Sequence, residues 1–242
     1  FDRANHVVVV DGLVCFGSSA DSSVTALDAA TGNVRWNFIT GGPVRFAPTV
    51  WQDRLFVTSD DGYLYALRLD TGELIERWRG GPADDRVLGN SQIISRWPAR
   101  GGVVIRDGVL YWGAGIWQSE GIFLHAMDLQ TGKELWTNDS SGSIEMPQPH
   151  PTAVAKSGVS AQGYLLANEE RLFVPTGRAV PAAFERATGK FEYYRLQENT
   201  HIGNTAAVLH GDLFYNGGYA YQAADGSVLG ERIPGVVAVF PG

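Results

Sequence analysis

Several features are scarce in this sequence, and each absence narrows the range of functions. The chain has a single cysteine, Cys15, so no disulfide can form within it. Lysine occurs only three times and the net charge is −7, which argues against nucleic-acid binding because that function needs a basic surface. No run of about 20 apolar residues is present, so we expect no membrane insertion.

Chemical motifs are also scarce. The sequence contains neither the G-x-S-x-G turn of serine hydrolases nor a phosphate-binding P-loop. Its five histidines do not have the spacing of metal ligands. From these patterns we predict neither a catalytic residue nor a metal site.

One short phrase, in contrast, occurs five times. Each copy begins with alanine followed by a large apolar residue. It ends with Thr-Gly or Asp-Gly, whose two residues are five and six places after the alanine. The copies are residues 26–32, 66–72, 126–132, 183–189 and 220–226. Their spacing of 37 to 60 residues is typical of repeat proteins, in which one unit cannot bury its apolar face alone.

Each copy lies within a larger unit of strands. An apolar hairpin precedes it, with Asp11-Gly12 and Asp107-Gly108 as the clearest turns, and another short apolar strand follows it. Four antiparallel strands per unit predict an all-β fold, a β-propeller. We predict a single domain over 1–242, with a further strand beginning in 235–242. The predicted blades are 5–40, 45–80, 101–138, 161–196 and 204–234.

The alanine and the aromatic residues predict how the blades pack. Trp36 and Trp136 come four residues after the glycine of their copies, Trp78 comes six after, and Tyr193 takes the place in copy four. We expect each ring to reach across to the neighbouring blade, where a small strand-C residue offers a flat surface. Copy five has Gly230 at this place.

The repeat, in idealised form Tyr-Ala-Leu-Asp-x-x-Thr-Gly-x-x-x-Trp, resembles that of the pyrroloquinoline-quinone (PQQ)-type β-propeller superfamily. The resemblance covers all five units and is closer to the non-catalytic bacterial propeller-repeat proteins than to the quinoprotein dehydrogenases. It implies a ring of seven or eight blades and an extracytoplasmic location, periplasmic or at the cell surface. We therefore expect a segment of a larger ring; the alternative is closure as a five-bladed ring.

The resemblance also raises the question of a cofactor. The quinoprotein enzymes imply PQQ stacked on a vicinal cysteine pair, a calcium or lanthanide ion and an aspartate base. The single Cys15 excludes the cysteine pair, and no acidic cluster provides ligands for a hard cation. Residues 60–62, Asp-Asp-Gly, are interpreted as a hairpin turn. The residues themselves thus predict no cofactor.

The candidate binding surface follows from the connections between strands. Tight turns join strands A–B and C–D on one face, whereas the long insertions, residues 79–101, 113–121 and 137–161, all belong to the other face. We call it the looped face. There we predict a site at the mouth of the central channel, with these candidate residues: Arg45, Arg86, Asn90, Trp97, Arg100, Trp117, Ser160, Arg178 and His201.

Two interpretations of the central pair in this set remain open. The face of Trp97 beside the guanidinium of Arg100 suits a planar or anionic ligand, or a carboxylate of a protein or peptide partner. Alternatively, Trp97 attaches its loop to the scaffold and Arg100 binds exposed carbonyl groups.

Complete scaffold motifs without catalytic ones favour a non-catalytic propeller that binds a protein, peptide or small ligand on the looped face. One alternative is a quinoprotein dehydrogenase with a degenerate site. Another is a propeller glycosidase or lyase, which would need two carboxylates facing each other in the channel.

Overall fold

The computed structural model describes residues 6–89, 91–150, 152–177, 180–196, 204–233 and 237–238. Its regular structure consists of β-strands, as the alternation of apolar residues predicts. In the described part of the chain, no helix is long and apolar enough to cross a membrane. The strands form five four-stranded antiparallel sheets and two separate hairpins, and the sheets confirm the predicted propeller blades.

The first three blades have the longest strands. Blade 1 consists of β1 (Val8–Val10), β2 (Leu13–Ser18), β3 (Ser23–Asp28) and β4 (Val34–Ile39). Blade 2 consists of β5 (Thr49–Trp51), β6 (Arg54–Thr58), β7 (Tyr63–Arg68) and β8 (Leu74–Arg79). Blade 3 follows an inserted hairpin, β9 (Arg86–Gly89) and β10 (Gln92–Ser95), and consists of β11 (Ala99–Arg106), β12 (Val109–Ala114), β13 (Phe123–Asp128) and β14 (Glu134–Asn138).

The last two blades have shorter strands. A second inserted hairpin, β15 (Ile144–Pro147) and β16 (Val154–Ser157), precedes blade 4, which consists of β17 (Leu166–Ala167), β18 (Arg171–Val174), β19 (Ala182–Glu185) and β20 (Phe191–Tyr193). Blade 5 consists of β21 (Ala207–His210), β22 (Leu213–Asn216), β23 (Tyr219–Gln222) and β24 (Val228–Leu229). Of the further strand predicted in 235–242, only residues 237 and 238 are described, and they are not in a strand.

Two of the long insertions contain regular structure that the sequence analysis did not predict. Residues 79–101 and 137–161 each include one of the two extra hairpins, with Leu88 paired to Ile93 in the first and Met146 to Ala155 in the second. Neither insertion carries the repeat phrase, so the repeat does not indicate its hairpin. Both hairpins belong to D–A connections, and therefore to the looped face.

Four apolar clusters hold successive blades together, one at each junction from blade 1–2 to blade 4–5. The repeated alanines Ala26, Ala66, Ala126 and Ala183 are fully buried in these clusters. The prediction that they lie at blade junctions is therefore confirmed. The fifth alanine, Ala220, is in none of the clusters.

The contact between ring and alanine differs from the prediction in one respect. Ala26 is paired with Trp36 of its own blade, and Ala126 with Trp136, so each alanine and its indole share one face. A small residue beside the ring leaves room for the indole, which reaches the next blade, where Trp36 Nε1 donates to Leu69. Trp78, paired with Leu64, lies on the same face as Ala66, as the two-residue shift predicts.

Each junction also contains one hydrogen bond to a repeated carbonyl oxygen. Its acceptor is always the residue three places after the alanine, whose own N–H donates to the A–B turn of its blade. The donor–acceptor pairs are Trp36 Nε1 to Leu69 (2.9 Å), Arg54 Nη2 to Leu129 (2.8 Å), Trp136 Nε1 to Arg186 (3.0 Å) and Tyr193 Oη to Ala223 (2.9 Å). We call these four interactions the seam hydrogen bonds.

The seam between blades 2 and 3 shows how a lost indole donor is replaced. Glu76, not tryptophan, is paired with Ala66 there. The guanidinium of Arg54 donates instead to Leu129, and it lies 4.6 Å from the ring centre of Trp51. The aromatic ring orients the guanidinium and partly removes it from water. Arg54 can therefore donate the seam hydrogen bond that an indole N–H donates at other junctions.

Candidate functional site

Two of the predicted site residues meet at the channel mouth. Strand A of each blade begins at the looped face and strand B ends there, so the ends of these strands surround the channel. Arg45 precedes β5, Arg100 lies near the start of β11, and Asp60 follows the end of β6. The topology of blades 2 and 3 therefore brings all three side chains to one place.

The carboxylate of Asp60 joins the two arginines. Arg45 Nε donates to Asp60 Oδ2 at 2.7 Å, while Arg100 donates from Nε to Oδ1 at 2.9 Å and from Nη2 to Oδ2 at 2.8 Å. The Asp60 side chain is 1% exposed and the two arginine side chains are 13% and 15% exposed. The geometry of Arg100 is the bidentate fork that guanidinium and carboxylate groups favour.

The turn that carries Asp60 is itself fixed by buried hydrogen bonds. The neighbouring Asp61 accepts from the hydroxyl of Tyr65 at 2.5 Å and from the backbone N–H of Gly41 at 2.8 Å. Burial and the adjacent carboxylate raise the pKa of Tyr65 to about 12, so its hydroxyl stays protonated and remains a donor. Asp60 is therefore held in position by a turn that has little freedom to move.

Aromatic side chains from blades 2 and 4 meet beside this cluster. The ring of Phe46, next to Arg45, contacts the ring of Tyr164 edge to face at 5.3 Å. The hydroxyl of Tyr164 accepts a hydrogen bond from Ala47 N at 2.9 Å and lies 3.0 Å from His6 Nδ1. Burial raises the pKa of Tyr164. Tyr164, which precedes blade 4, thus contacts residues that precede the first strands of blades 1 and 2.

Trp97 and Arg86 lie in other surroundings. Trp97 is 6% exposed; its indole N–H donates to the carbonyl of Glu120, and its ring contacts Phe123 edge to face. In this structure Trp97 therefore attaches its loop to blade 3. Arg86 begins the hairpin β9–β10 and forms an exposed ion pair with Asp84 at 2.9 Å.

Trp117 and Ser160 line a second region of the looped face. A cleft of about 370 Å³ lies between blades 3 and 4, next to the hairpin β15–β16. Trp117, 39% exposed, is on one wall, and Ser160 and Thr176 contribute hydroxyl groups. The predicted set therefore divides between the mouth and this cleft. Asn90, Arg178 and His201 lie outside the described residues.

The hydrogen bonds at the mouth leave one guanidinium nitrogen unused. Arg100 uses Nε and Nη2 for Asp60, and no described residue accepts a hydrogen bond from its third nitrogen, Nη1. In the described part of the chain, no group of three His, Cys, Asp or Glu side chains is arranged to hold a metal ion. Cys15 is buried in the blade 1–2 junction, and this burial raises its pKa to about 11.

Sequence reasoning missed three residues of the mouth, Phe46, Asp60 and Tyr164. Asp60 was interpreted as turn chemistry, and the turn does form, with Gly62 N donating to Ser59 O at 3.0 Å. The additional role of Asp60 depends on two arginines that are 15 and 40 residues away in the sequence. A signal was present, because two adjacent aspartates at the looped end of an apolar strand are more than a turn requires.

Comparison with known proteins agrees with this fold. A family model described as the outer membrane protein assembly factor BamB matches residues 3–105 and 76–233. A polyvinylalcohol dehydrogenase from a Pseudomonas species is 30% identical over 152 residues, which are 63% of this chain and 20% of that protein. The chain therefore spans about a fifth of this relative.

Solved structures show the same architecture. The quinohemoprotein alcohol dehydrogenase of Comamonas testosteroni gives a TM-score of 0.66 at 16% identity, over 93% of this chain and 42% of that one. BamB from Moraxella catarrhalis gives 0.50 at 14% identity, over 93% of this chain and 75% of that one. At these identities the likeness shows the fold alone.

Proposed function

Because the chain belongs to the family of PQQ-type repeat propellers that the BamB model describes, we propose that it is a ligand-binding propeller module. Its looped face takes a ligand that carries a carboxylate or a similar anionic group. The single observation that supports this most strongly is the convergence of Arg45 and Arg100 on the buried Asp60. No other described junction contains such a cluster, so the repeated packing of blades does not account for it.

The chemistry of binding follows from the positions of the donors. Asp60 holds the guanidinium plane of Arg100 in one orientation, so the free energy of ordering this side chain is already supplied by the fold. The remaining Nη1 donor then offers a charge-assisted hydrogen bond to an incoming anion. Phe46 and Tyr164 provide an aromatic surface beside it for a planar ligand.

The test is a calorimetric titration with PQQ, a planar quinone that carries carboxylates, in the absence of added metal. We expect binding to the unmodified chain, and binding at least about tenfold weaker for Arg100→Lys, since lysine keeps the charge but loses the fork. Arg68→Lys is the matched control, because Arg68 pairs with Asp53 and Glu73 in exposed positions. Equal affinities for all three proteins, or no binding at all, would contradict the proposal.

A second candidate, a quinoprotein-type dehydrogenase, is favoured by the 30% identity to a polyvinylalcohol dehydrogenase. The described residues fit this chemistry only in part. The arginines suit the carboxylates of PQQ, but the described residues provide no cluster of oxygen ligands for a divalent cation. Dye-linked oxidation of alcohols with added PQQ and Ca²⁺ tests this candidate. Turnover would favour the dehydrogenase over a module that only binds a ligand.

The family also suggests where the protein acts. The matching model describes an outer membrane assembly factor, and we propose an extracytoplasmic location on that ground. Fractionation of cells that produce the full-length protein tests this, and recovery in the cytoplasm would contradict it.

A further inference from the structure

One cleft of the looped face has no charged side chain in its lining. This cleft, of about 370 Å³, lies between blades 3 and 4, and no Asp, Glu, Lys, Arg or His is among the residues that line it. We call it the neutral cleft. Its walls are the B–C loop of blade 3, the end of the hairpin β15–β16 with the residues after it, and the residues that follow β18 and β20.

Other clefts of the molecule differ in this respect. Three larger ones, of about 430 to 900 Å³, each contain both arginine and carboxylate side chains. Covering a charge without a partner of opposite sign costs free energy. The neutral cleft therefore favours a ligand without charge.

Trp117 gives the neutral cleft an open aromatic surface. All seven tryptophans of the chain are among the described residues, and the other six are buried or half-buried. Trp117 is 39% exposed. The same lining contains Ile122 and Leu196, which are each 1% exposed. An indole face together with apolar carbon atoms suits the C–H groups on the face of a ring-shaped ligand.

The wall at the end of β16 carries the hydroxyl groups of Ser157 and Ser160. Ser157 Oγ accepts a hydrogen bond from Gln148 Nε2 at 3.0 Å, and the same nitrogen also donates to Met146 O at 3.1 Å. Ser160 Oγ accepts from Gln162 Nε2 at 3.4 Å. A serine hydroxyl that accepts a hydrogen bond can still donate its own hydrogen, so both serines can donate to an oxygen of a ligand.

A second pair of hydroxyl groups belongs to blade 4. Thr176 Oγ1 and Tyr194 Oη are 2.9 Å apart, and both residues line the cleft although they are only 7% and 8% exposed. A purely apolar ligand would cover the hydroxyl groups of the lining and offer them no hydrogen bond, which costs free energy. The lining therefore favours a ligand that has hydroxyl groups of its own as well as an apolar face.

Glycine residues let the walls of the cleft lie close together. A methyl group built on Gly158 would lie 2.7 Å from Ile122 Cδ1 and 3.1 Å from Gln118 Cβ. One built on Gly142 would lie 2.8 Å from the backbone nitrogen of Ile122. The insertion 137–161 thus packs directly on the B–C loop that carries Trp117, and the cleft is formed before a ligand binds.

We propose that the neutral cleft is a saccharide-binding site. The apolar face of one sugar ring packs on the indole of Trp117, and the sugar hydroxyl groups form hydrogen bonds with the serine, threonine and tyrosine hydroxyl groups of the lining. The aromatic surface, the uncharged hydroxyl groups and a volume in the range of small-molecule sites match this class of ligand. The Asp60 cluster contributes no residue to the lining, so this site is additional to the one proposed for an anion.

Calorimetric titration of the intact chain with neutral trisaccharides tests the site. The probes are maltotriose, cellotriose and triacetylchitotriose, whose rings differ in linkage and substituents. We expect at least one of them to bind with a dissociation constant on the order of 1 mM or lower. No heat of binding for any of the three would overturn the proposal.

Substitutions identify where the trisaccharide binds. Trp117→Ala removes the aromatic surface and should weaken binding at least about tenfold, whereas Trp117→Phe should restore part of the affinity. Ser157→Ala should weaken binding about fivefold, because one hydrogen bond is lost. The control is Leu88→Ala, since Leu88 is 80% exposed on the other inserted hairpin of the looped face, and it should leave the affinity unchanged. Full affinity in Trp117→Ala would overturn the proposal.

Two further titrations separate this site from the mouth. Saturating PQQ should leave the dissociation constant of the trisaccharide within about twofold of its value without PQQ, and displacement of one ligand by the other would mean a shared site and overturn the proposal. Saccharide binding without any binding of PQQ would support the neutral cleft and contradict only the function proposed for the mouth.

An acidic probe tests the absence of charge. A trisaccharide of galacturonic acid should bind no more tightly than the neutral trisaccharides, because the lining holds no cation for its carboxylates. Tighter binding of the acidic probe would assign the saccharide to the arginines of the mouth and overturn the proposal.

Discussion

The blade seams and the channel mouth use hydrogen bonds in contrasting ways. At the seams, Trp36, Trp136 and Tyr193 each donate one neutral hydrogen bond to a repeated carbonyl within an apolar junction. At the mouth, Asp60 accepts three charge-assisted bonds from two arginines. A seam hydrogen bond is present at all four described junctions, with the guanidinium of Arg54 as the donor between blades 2 and 3, whereas the mouth cluster occurs once among the described residues.

This difference distinguishes structure from function. An interaction repeated with the blades serves the packing of blades, since every junction has the same apolar faces to bury. The packing of blades does not explain an ionic cluster that occurs at one described junction. Removing its charges from water costs free energy, so its presence needs another explanation. We therefore assign the seams to stability and propose that the mouth serves recognition. The following predictions test the assignment, beginning with the largest expected effect.

Asp60→Asn should destabilise the chain most. It leaves two largely buried guanidinium groups without their shared carboxylate, which costs about 3–5 kcal/mol of the free energy of unfolding. Urea denaturation measures this cost. The control is Asp53→Asn, since the Asp53 side chain is 69% exposed and its Oδ2 lies 3.6 Å from Arg68 Nη1. This change should lower the free energy of unfolding by less than about 1 kcal/mol. Equal costs for the two variants would mean that the Asp60 cluster contributes no more to stability than an exposed ion pair.

The seam donors should have the next largest effect. Trp136→Phe keeps an aromatic ring but leaves the Arg186 carbonyl without its donor, at a cost of about 1–3 kcal/mol in the free energy of unfolding. Trp78→Phe is the matched control, because the indole N–H of Trp78 donates to no described residue. Denaturation of both proteins provides the comparison, and a larger cost for Trp78→Phe would contradict the role of the seam hydrogen bonds.

Glycine substitutions give a more local test of the seams, and the effect that matters is the difference between two turns of the same backbone conformation. Gly32 and Gly72 both have φ +73°, so alanine at either position costs about 1 kcal/mol in backbone strain. Gly72→Ala also forces the indole of Trp36 to move, which adds about 1–3 kcal/mol. Thermal unfolding should show the larger loss for Gly72→Ala, and equal losses would mean that the ring does not press on this turn.

The smallest effect should come from pH. His125 is buried between blades 2 and 3, and burial lowers its pKa from the ordinary value of 6.5. The unfolded chain therefore binds a proton before the folded chain does, and stability falls as the pH falls below about 6.5. The pKa values of the turn carboxylates Asp28 and Asp128 are lowered from 3.8, so they respond only in more acidic solution.

Denaturation at pH 7.5 and pH 5.5 measures this dependence. His125→Gln should reduce the loss of stability between the two values, because glutamine does not titrate and can still donate to the carbonyl of Gly80. An unchanged loss would show that other groups cause it.

The sequence predicted the repeated part of the molecule well, and the physical reason is that repetition is visible along a single chain. Alanine, aromatic residue and Thr-Gly turn together predicted the blades and placed Ala66 and Ala126 at junctions. The repeat did not indicate the role of Arg54, because Arg54 replaces an indole donor but lies on a different strand. Only the packing of blade 2 on blade 3 brings it to Leu129.

The site was predicted less completely, for a related reason. Arg45 and Arg100 were found because they enter strand A from the looped face. Asp60 was missed because its charge partners are brought to it by the arrangement of blades and not by local sequence. Trp97 was predicted beside Arg100, but local packing against Phe123 and Glu120 buries its ring instead.

One measurement tests the division between seam and mouth most directly: the dissociation constant of PQQ, without added metal, for Arg100→Lys and Trp136→Phe side by side. Binding by Arg100→Lys should be at least about tenfold weaker than for the unmodified chain, and that by Trp136→Phe within about twofold of it despite the lower stability. The reverse order, or equal weakening in both proteins, would contradict the account.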